Sequence, residues 1–173
     1  MPVDDFLYLP RSFVAGYENQ SIARADPVPF APLRRPIREA RVALVTTAGI
    51  WDRDTDPPFD YERERREPLW GDPSYRVIPA DIRQEQVGAG HLHLNNDDLL
   101  ADLDVALPVH RLAELAAAGE VGAAASAHYS FMGFQGRAPD GGGNTREWEE
   151  RYGPEVAARM AAEGVDAVVV SPT

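Results

Sequence analysis

The stretch Arg41-Val-Ala-Leu-Val-Thr-Thr-Ala-Gly49 decides the fold class of this chain. It is a short continuous apolar run that ends in small polar residues and glycine, which is typical of a strand buried on both faces of a parallel sheet. A second apolar run, Val165 to Val170, lies near the end of the chain. We therefore expect Arg41–Gly49 to form a central strand and the later run to form a second strand.

Two helical patterns follow the first strand. Pro108 suits a first helical turn and Gly119 a stop, so residues 108–118 are predicted to be helical. Gly153-Pro154 opens a second helix that Gly164 closes. The residues expected to face inward are Val109, Leu112, Leu115 and Ala116 in the first helix, and Val156, Ala157, Met160 and Ala161 in the second.

The remaining segments predict short strands and one charged loop. A turn and a short strand are expected over 71–79, and a strand of small residues from Val121 to His128. Residues 52–68 mix charges and prolines, which predicts a surface loop in which one helical turn is an open alternative. The alternation of helices and strands indicates an α/β fold, with a mainly parallel, Rossmann-like sheet flanked by helices. Ligands of such folds bind beyond the carboxyl ends of the strands, here at 46–49 and 171–173.

The chain length of 173 residues suits one domain. Residues 1–40 are rich in proline and aromatic residues, which predicts an extended N-terminal arm, and residues 41–173 form the predicted α/β domain. Such an arm lies over its own core or over a partner subunit, so we expect a homo-oligomer.

Composition excludes several classes of chemistry. The chain has no cysteine and all 17 of its basic residues are arginine, which excludes disulfides, thiolate nucleophiles and lysine Schiff bases. The net charge of −11, without a basic face, argues against nucleic acid as a partner. The sequence contains no targeting signal and no apolar run of membrane-spanning length, so we expect a cytoplasmic protein that binds no membrane.

The most concentrated polar stretch is His91-Leu-His93-Leu-Asn95-Asn96-Asp97-Asp98. If the stretch is extended, His91 and His93 share one face and present two imidazoles to one metal ion, such as zinc. His128 is the predicted third ligand, with Asp97 or Asp98 as alternatives, and a water position stays open. The alternation is equally typical of a half-buried strand, and acid/base chemistry or substrate contact by the histidines is the other interpretation.

Other polar residues lie at predicted strand ends, where a small molecule would bind. Thr46 and Thr47 follow the first strand, and Tyr129 and Ser130 follow His128 beside an aromatic wall. Arg76 is a candidate clamp for a substrate carboxylate, although turn chemistry explains its position equally well.

Eight segments in collinear order resemble the glycine/sarcosine/betaine reductase component B (selenoprotein B) family, which includes relatives of D-proline reductase. No single motif is decisive, and the resemblance covers residues 42–173. The matching segments are Val42-Ala-Leu-Val-Thr-Thr-Ala-Gly49, Pro58-Phe-Asp60, Gly71-Asp-Pro-Ser-Tyr-Arg-Val-Ile-Pro79, His91 to Asp98, Asp104-Val-Ala-Leu-Pro-Val-His-Arg-Leu-Ala-Glu-Leu115, Gly119-Glu-Val-Gly122, His128-Tyr-Ser-Phe-Met-Gly133 and Glu163-Gly-Val-Asp-Ala-Val-Val-Val-Ser-Pro-Thr173.

The resemblance implies a reductase subunit that binds a small amino acid or N-methylated amine and cleaves its C–N bond reductively. Selenocysteine or cysteine performs that chemistry in the family, after the strand that corresponds to Val165–Val170. The sequence stops at Thr173 without such a residue. Two explanations are expected to compete: translation stops at an unrecoded selenocysteine codon, or the chain is complete and its pocket serves another reaction.

The resulting expectation is a small-molecule enzyme on this scaffold. If it acts alone, His93 or His128 is the predicted general base, and Asp98 is its orienting partner. The predicted substrate contacts are Thr46, Thr47, Arg76, Tyr129 and Ser130. Two alternatives stay open. One is a metal-dependent lyase, isomerase or hydrolase with a divalent ion on His91, His93 and His128; the other is a non-catalytic substrate-binding subunit whose thiol or selenol comes from a partner.

Overall fold

The computed structural model describes residues 31–68, 70–135 and 145–172. Most of the predicted N-terminal arm (1–40) and Thr173 lie outside the described residues, so the arm stays a prediction. In the described part of the chain, no helix is long and apolar enough to cross a membrane.

Seven strands and five α-helices are described, with 3₁₀ and π-helical turns between them. The strands are β1 (Arg41–Thr46), β2 (Ile50–Asp52), β3 (Tyr75–Pro79), β4 (Val87–Ala89), β5 (Ala123–Ala124), β6 (Ala127–Phe131) and β7 (Ala167–Ser171). The helices are α1 (Tyr61–Arg66), α2 (Asn96–Ala101), α3 (Val109–Ala117), α4 (Thr145–Glu147) and α5 (Gly153–Glu163). These turns are the 3₁₀ turns Ile37–Glu39, Gln84–Gln86 and Leu103–Val105 and the π-helical turn Trp148–Tyr152.

The strand β1 is the centre of a curled, mainly parallel sheet. β7 pairs with β1 in parallel from Val42 to Thr46. Because Val42 also pairs with β5 and Val45 with β6, both of these strands lie along the opposite edge of β1, again in parallel. β3 adds to the outer side of β6 in antiparallel orientation, and β2 and β4 form a separate antiparallel pair. The predicted parallel sheet with a central first strand is confirmed.

Alternate residues of β1 pack on opposite faces of the sheet, as the pleat of a strand requires. Val42 and Leu44 belong to one apolar cluster, together with Val109 and Leu112 of α3. Ala43 belongs to a second cluster, which holds residues of α5. Helices therefore cover both faces of the sheet, as predicted; the Rossmann-like label stays a prediction.

The inward stripes of the two long helices are narrower than predicted. Leu115 of α3 is 46% exposed, because only the first part of this 9-residue helix reaches the core. In α5, Val156 and Met160 are buried, whereas Ala157 and Ala161 are exposed on the flank. An i, i+4 pair is thus sufficient to anchor α5 on the sheet.

The predicted strand from Val121 to His128 is interrupted in the structure. Val42 pairs with Ala124 and Val45 with Tyr129, so three steps along β1 match five steps along its neighbour. The two extra residues bulge out of the ladder and leave the Leu44 N–H without a backbone acceptor there. His128 fills that position, since its Nδ1 accepts the Leu44 N–H at 3.1 Å.

Candidate functional site

A cleft of about 200 Å³ lies beyond the carboxyl end of β6. Phe134 follows β6 and forms one wall, and the turn after β4 forms another. This is the edge of the sheet at which ligands of parallel α/β folds bind. The lining residues are Glu64, Arg65, Pro68, Leu92, His93 and Phe134.

A third wall of the cleft comes from α1, in the charged segment where we predicted a surface loop. Residues 61–66 form a helix of six residues, which is longer than the single turn that we allowed in this loop. Asp60 caps the helix, because its Oδ1 accepts the Arg63 N–H at 3.0 Å. The Asp60 N–H in turn donates to Asp72 at 3.0 Å, which fixes the start of the helix against the turn before β3.

Glu64 is turned inward by this helix and is only 2% exposed. Among the described residues, neither of its carboxyl oxygens has a hydrogen-bond partner. Burial, and in second place the nearby charge of Asp72, raise the pKa of Glu64 above its ordinary value. A buried carboxyl with two free acceptors is the most unusual group in the site, because buried polar atoms are almost always paired.

His93 is the second ionisable group of the cleft. Its Nε2 lies 3.7 Å from Oε1 of Glu64, and its side chain is 57% exposed. The imidazole packs on the ring of Phe134, with 4.7 Å between the ring centroids. A Cβ at Gly71 would collide with the carbonyl oxygen of Phe134, so glycine at that position lets the Phe134 segment lie close.

The stretch from His91 to Asp98 is a turn followed by α2, and the conditional prediction of an extended strand is wrong. Asn95 caps α2 by accepting the Asp97 N–H, and the Asn96 side chain bonds both the N–H and the carbonyl of His91. These short polar side chains bind the backbone locally and so compete with a strand. Asp98, the predicted orienting partner, accepts instead from the Asn95 amide at 2.9 Å.

His91 and His128 are buried, and their burial lowers the pKa of each to about 4. Both imidazoles are therefore neutral near pH 7. The Nδ1 of His91 accepts the His93 N–H at 3.1 Å, as the Nδ1 of His128 accepts from Leu44. Within the described residues, no three metal-ligating side chains are grouped together, so the structure does not unite the predicted ligands His91, His93 and His128.

The residues at the strand ends that we predicted to contact substrate make structural hydrogen bonds or packing contacts. Thr46 Oγ1 donates to the Ser171 carbonyl at 3.2 Å, which ties β1 to β7. Ser130 Oγ accepts the Ile50 N–H at 3.0 Å. Tyr129 is 2% exposed and packs edge to face on another aromatic ring, whereas Thr47 is half-buried beside Gly133. None of these residues lines the cleft, and their predicted contact with substrate stays a prediction.

Arg76 is 7% exposed and holds the loop that precedes α1. Its guanidinium donates to the carbonyl oxygens of Pro57 and Pro58 at 2.8 and 3.0 Å, and it stacks 4.1 Å above the Phe59 ring. Asp72 lies 3.7 Å from the same group. Arg76 thus supports the helix that carries Glu64, and its donors are directed at protein atoms rather than at the cleft.

Comparison with known proteins places these features in a family context. The family model of glycine/sarcosine/betaine reductase selenoprotein B matches residues 12–173. D-proline reductase subunit gamma of Acetoanaerobium sticklandii is 31% identical over 159 residues, which cover 91% of this chain and 59% of the relative. Glycine reductase complex component B subunit gamma of Carboxydothermus hydrogenoformans is 25% identical over 148 residues, or 86% of this chain and 31% of the relative. No solved structure matches the chain.

Proposed function

Because the chain belongs to the glycine/sarcosine/betaine reductase selenoprotein B family, we propose that it is a subunit of a reductase complex acting on a small amino-acid- or amine-like substrate. The names of its relatives, D-proline reductase subunit gamma and a subunit of a glycine reductase complex, support this proposal. The chain spans 59% of the length of the first relative. The activity of the complete reductase is therefore proposed for this chain and does not follow from the match itself.

The contribution of this chain is the substrate site. Its 173 residues contain no cysteine, so the thiol or selenol that family chemistry requires is supplied from outside these residues. A protein partner that bears such a group is the simplest source. The reductive step then needs the substrate held next to that partner, which is a task of binding and orientation.

The observation that carries the proposal is the buried carboxyl of Glu64 in a cleft of about 200 Å³. Ligand pockets for drug-sized molecules are larger, roughly 300–1,000 Å³, so this volume suits a molecule with few heavy atoms. Glu64 and Arg65 both line the cleft, and their charges complement the ammonium and carboxylate ends of an amino acid. The Phe134 and Leu92 side chains supply the apolar wall between them.

Ligand-observed NMR on the purified chain tests this proposal, with glycine, sarcosine, betaine and D-proline each added alone. We expect saturable binding of at least one of them, and no consumption until a thiol- or selenol-bearing partner is added. Glu64→Gln should remove the binding, and the exposed Glu67→Gln is the matched control. The absence of binding for all four compounds would contradict the proposal.

A second candidate is an acid/base enzyme that acts without a redox partner. The distance of 3.7 Å between His93 Nε2 and Glu64 Oε1 favours it, because a carboxyl beside an imidazole can orient a general base. On this account the purified chain alone turns over a small amine, His93→Ala stops turnover and the control His110→Ala does not. A complete lack of turnover by the chain alone would eliminate this candidate.

A further inference from the structure

We propose that the Glu64 cleft selects ammonium groups that carry N–H bonds, so that it takes primary and secondary amines and rejects quaternary ammonium compounds. The inference rests on the proposed function only in identifying the bound ammonium compound with the substrate. The selectivity itself follows from the residues of the cleft. It divides the compounds named for the family into two groups. Glycine, sarcosine and proline carry N–H bonds on nitrogen, whereas betaine carries none.

The free acceptors of Glu64 set the requirement for N–H bonds. Both oxygens are shielded from solvent and lack a hydrogen-bond partner among the described residues. An unpaired buried acceptor costs about 1–3 kcal/mol, and more when it is charged. An ammonium ion with two N–H bonds neutralises the carboxylate and pairs its oxygens in the same step. A quaternary ammonium ion supplies the charge but leaves the acceptors unpaired.

The other described residues of the lining do not offer the alternative way of binding a cation. Quaternary ammonium groups are recognised by aromatic faces that surround the charge. Of the described residues that line the cleft, Phe134 is the one with an aromatic hydrocarbon ring, and the neighbouring His93 already packs on it at 4.7 Å. The other apolar lining residues, Pro68 and Leu92, are aliphatic. The described cleft is therefore built for hydrogen bonding at its carboxyl rather than for a π-cage.

Access to the carboxyl runs past His93. The imidazole Nε2 lies 3.7 Å from Oε1, and the side chain is 57% exposed, so it can turn into solvent without losing a buried contact network. A ligand nitrogen then takes the place beside Oε1.

Charges around the carboxyl affect its protonation and its attraction for any cation. Asp72, in the turn before β3, adds negative potential, and burial disfavours the charged form of Glu64, so the empty cleft holds its proton to a higher pH than a free glutamate. Arg65 of α1 is paired with Glu62 at 3.0 Å, which moderates its repulsion of a cation. A bound ammonium ion favours the carboxylate, so binding releases a proton.

Isothermal titration calorimetry with methylammonium, dimethylammonium and tetramethylammonium chloride tests the inference on the whole chain. We expect the first two to bind at least tenfold more tightly than the third. Glu64→Gln should abolish the difference and Glu67→Gln should preserve it. Equal affinity of the three ions for the parent protein would overturn the inference, even if Glu64→Gln fails to fold.

The same titrations separate this inference from the proposed function. If methylammonium binds with the expected selectivity while no amino acid of the family binds, the cation site stands and the proposed substrate role fails. If sarcosine and betaine bind equally well, the substrate role stands and the N–H requirement is wrong.

Discussion

At the scale of single residues, His91 and His128 make the same kind of hydrogen bond to the backbone. Each directs Nδ1 at a backbone N–H, so the proton of the neutral ring sits on Nε2. Among the described residues the Nε2 atoms of both rings are buried without a partner. The sequence has 4 histidines among many acidic residues, which favours a catalytic or metal-binding interpretation of the histidines. It contains no signal that two of them accept backbone hydrogen bonds inside the fold.

Replacing His128 with leucine should lower the free energy of unfolding by about 1–3 kcal/mol, because the Leu44 N–H is then buried without an acceptor. His128→Asn is the matched variant, since its side-chain oxygen stands close to the position of Nδ1 and should retain most of the stability. Urea denaturation followed by circular dichroism measures both. Equal losses in the two variants would show that the hydrogen bond to Leu44 contributes little.

Acidification should destabilise the protein through His128. The folded-state pKa of this residue is about 4, against 6.5 for an unperturbed histidine, so the unfolded state binds the proton first as the pH falls. Stability from this group is complete above pH 6.5 and is lost progressively down to about pH 4. Between pH 7 and 5 the loss is on the order of 2 kcal/mol.

The measurement that isolates this effect is the difference in unfolding free energy between pH 7 and pH 5 in the parent protein and in His128→Asn. Carboxylates elsewhere titrate equally in both proteins and cancel in the comparison. A smaller loss in the variant agrees with a buried neutral imidazole. Identical pH profiles would mean that His128 does not carry the pH dependence.

At the scale of elements, α1 shows why the site was harder to predict than the sheet. Strand β1 carries an uninterrupted apolar run, and such a run predicts burial directly. Residues 61–66 are almost entirely charged, and in the sequence Glu64 is indistinguishable from its exposed neighbours. The one local signal is Asp60, an N-cap residue, three positions before Arg63 and four before Glu64. It predicts a helix start but not which side chain turns inward.

The strand β7 is more exposed than its apolar sequence suggests. The valines at positions 168, 169 and 170 form the apolar run of a buried strand, yet they are 43%, 49% and 60% exposed. Pairing with β1 satisfies one edge of the strand in the described structure. The apolar sequence therefore predicts a strand in a parallel sheet. How much of its side chains is buried depends on tertiary neighbours, which a local pattern does not encode.

Removal of the α1 cap should weaken both the helix and the cleft. Asp60→Ala removes the acceptor of the Arg63 N–H, which costs about 1 kcal/mol. Because the helix positions Glu64, we expect the affinity for methylammonium to fall as well. Calorimetry and urea denaturation measure the two effects. Asp97→Ala, at an exposed acid of α2, should change neither, and unchanged affinity in Asp60→Ala would separate the cap from the site.

At the scale of the whole molecule, the cleft lies where parallel α/β folds bind their ligands. The family model covers residues 12–173, and the cleft lies at the carboxyl edge of the parallel strands. Fold class, central strand and family followed from the sequence because they depend on long patterns. The Glu64 cleft joins α1, the turn after β4 and the segment after β6, and only the three-dimensional structure brings those distant segments together. The predicted homo-oligomer stays a prediction.

The central proposal is that the buried carboxyl of Glu64 binds a cation that carries N–H bonds. The most direct test is a pH titration of the Glu64 carboxyl carbon by ¹³C NMR, assigned with Glu64→Gln, in the absence and presence of methylammonium. We expect a midpoint above that of the exposed glutamates in the free protein and a clear decrease when methylammonium is bound. An ordinary midpoint, or one that methylammonium leaves unchanged, would contradict the account.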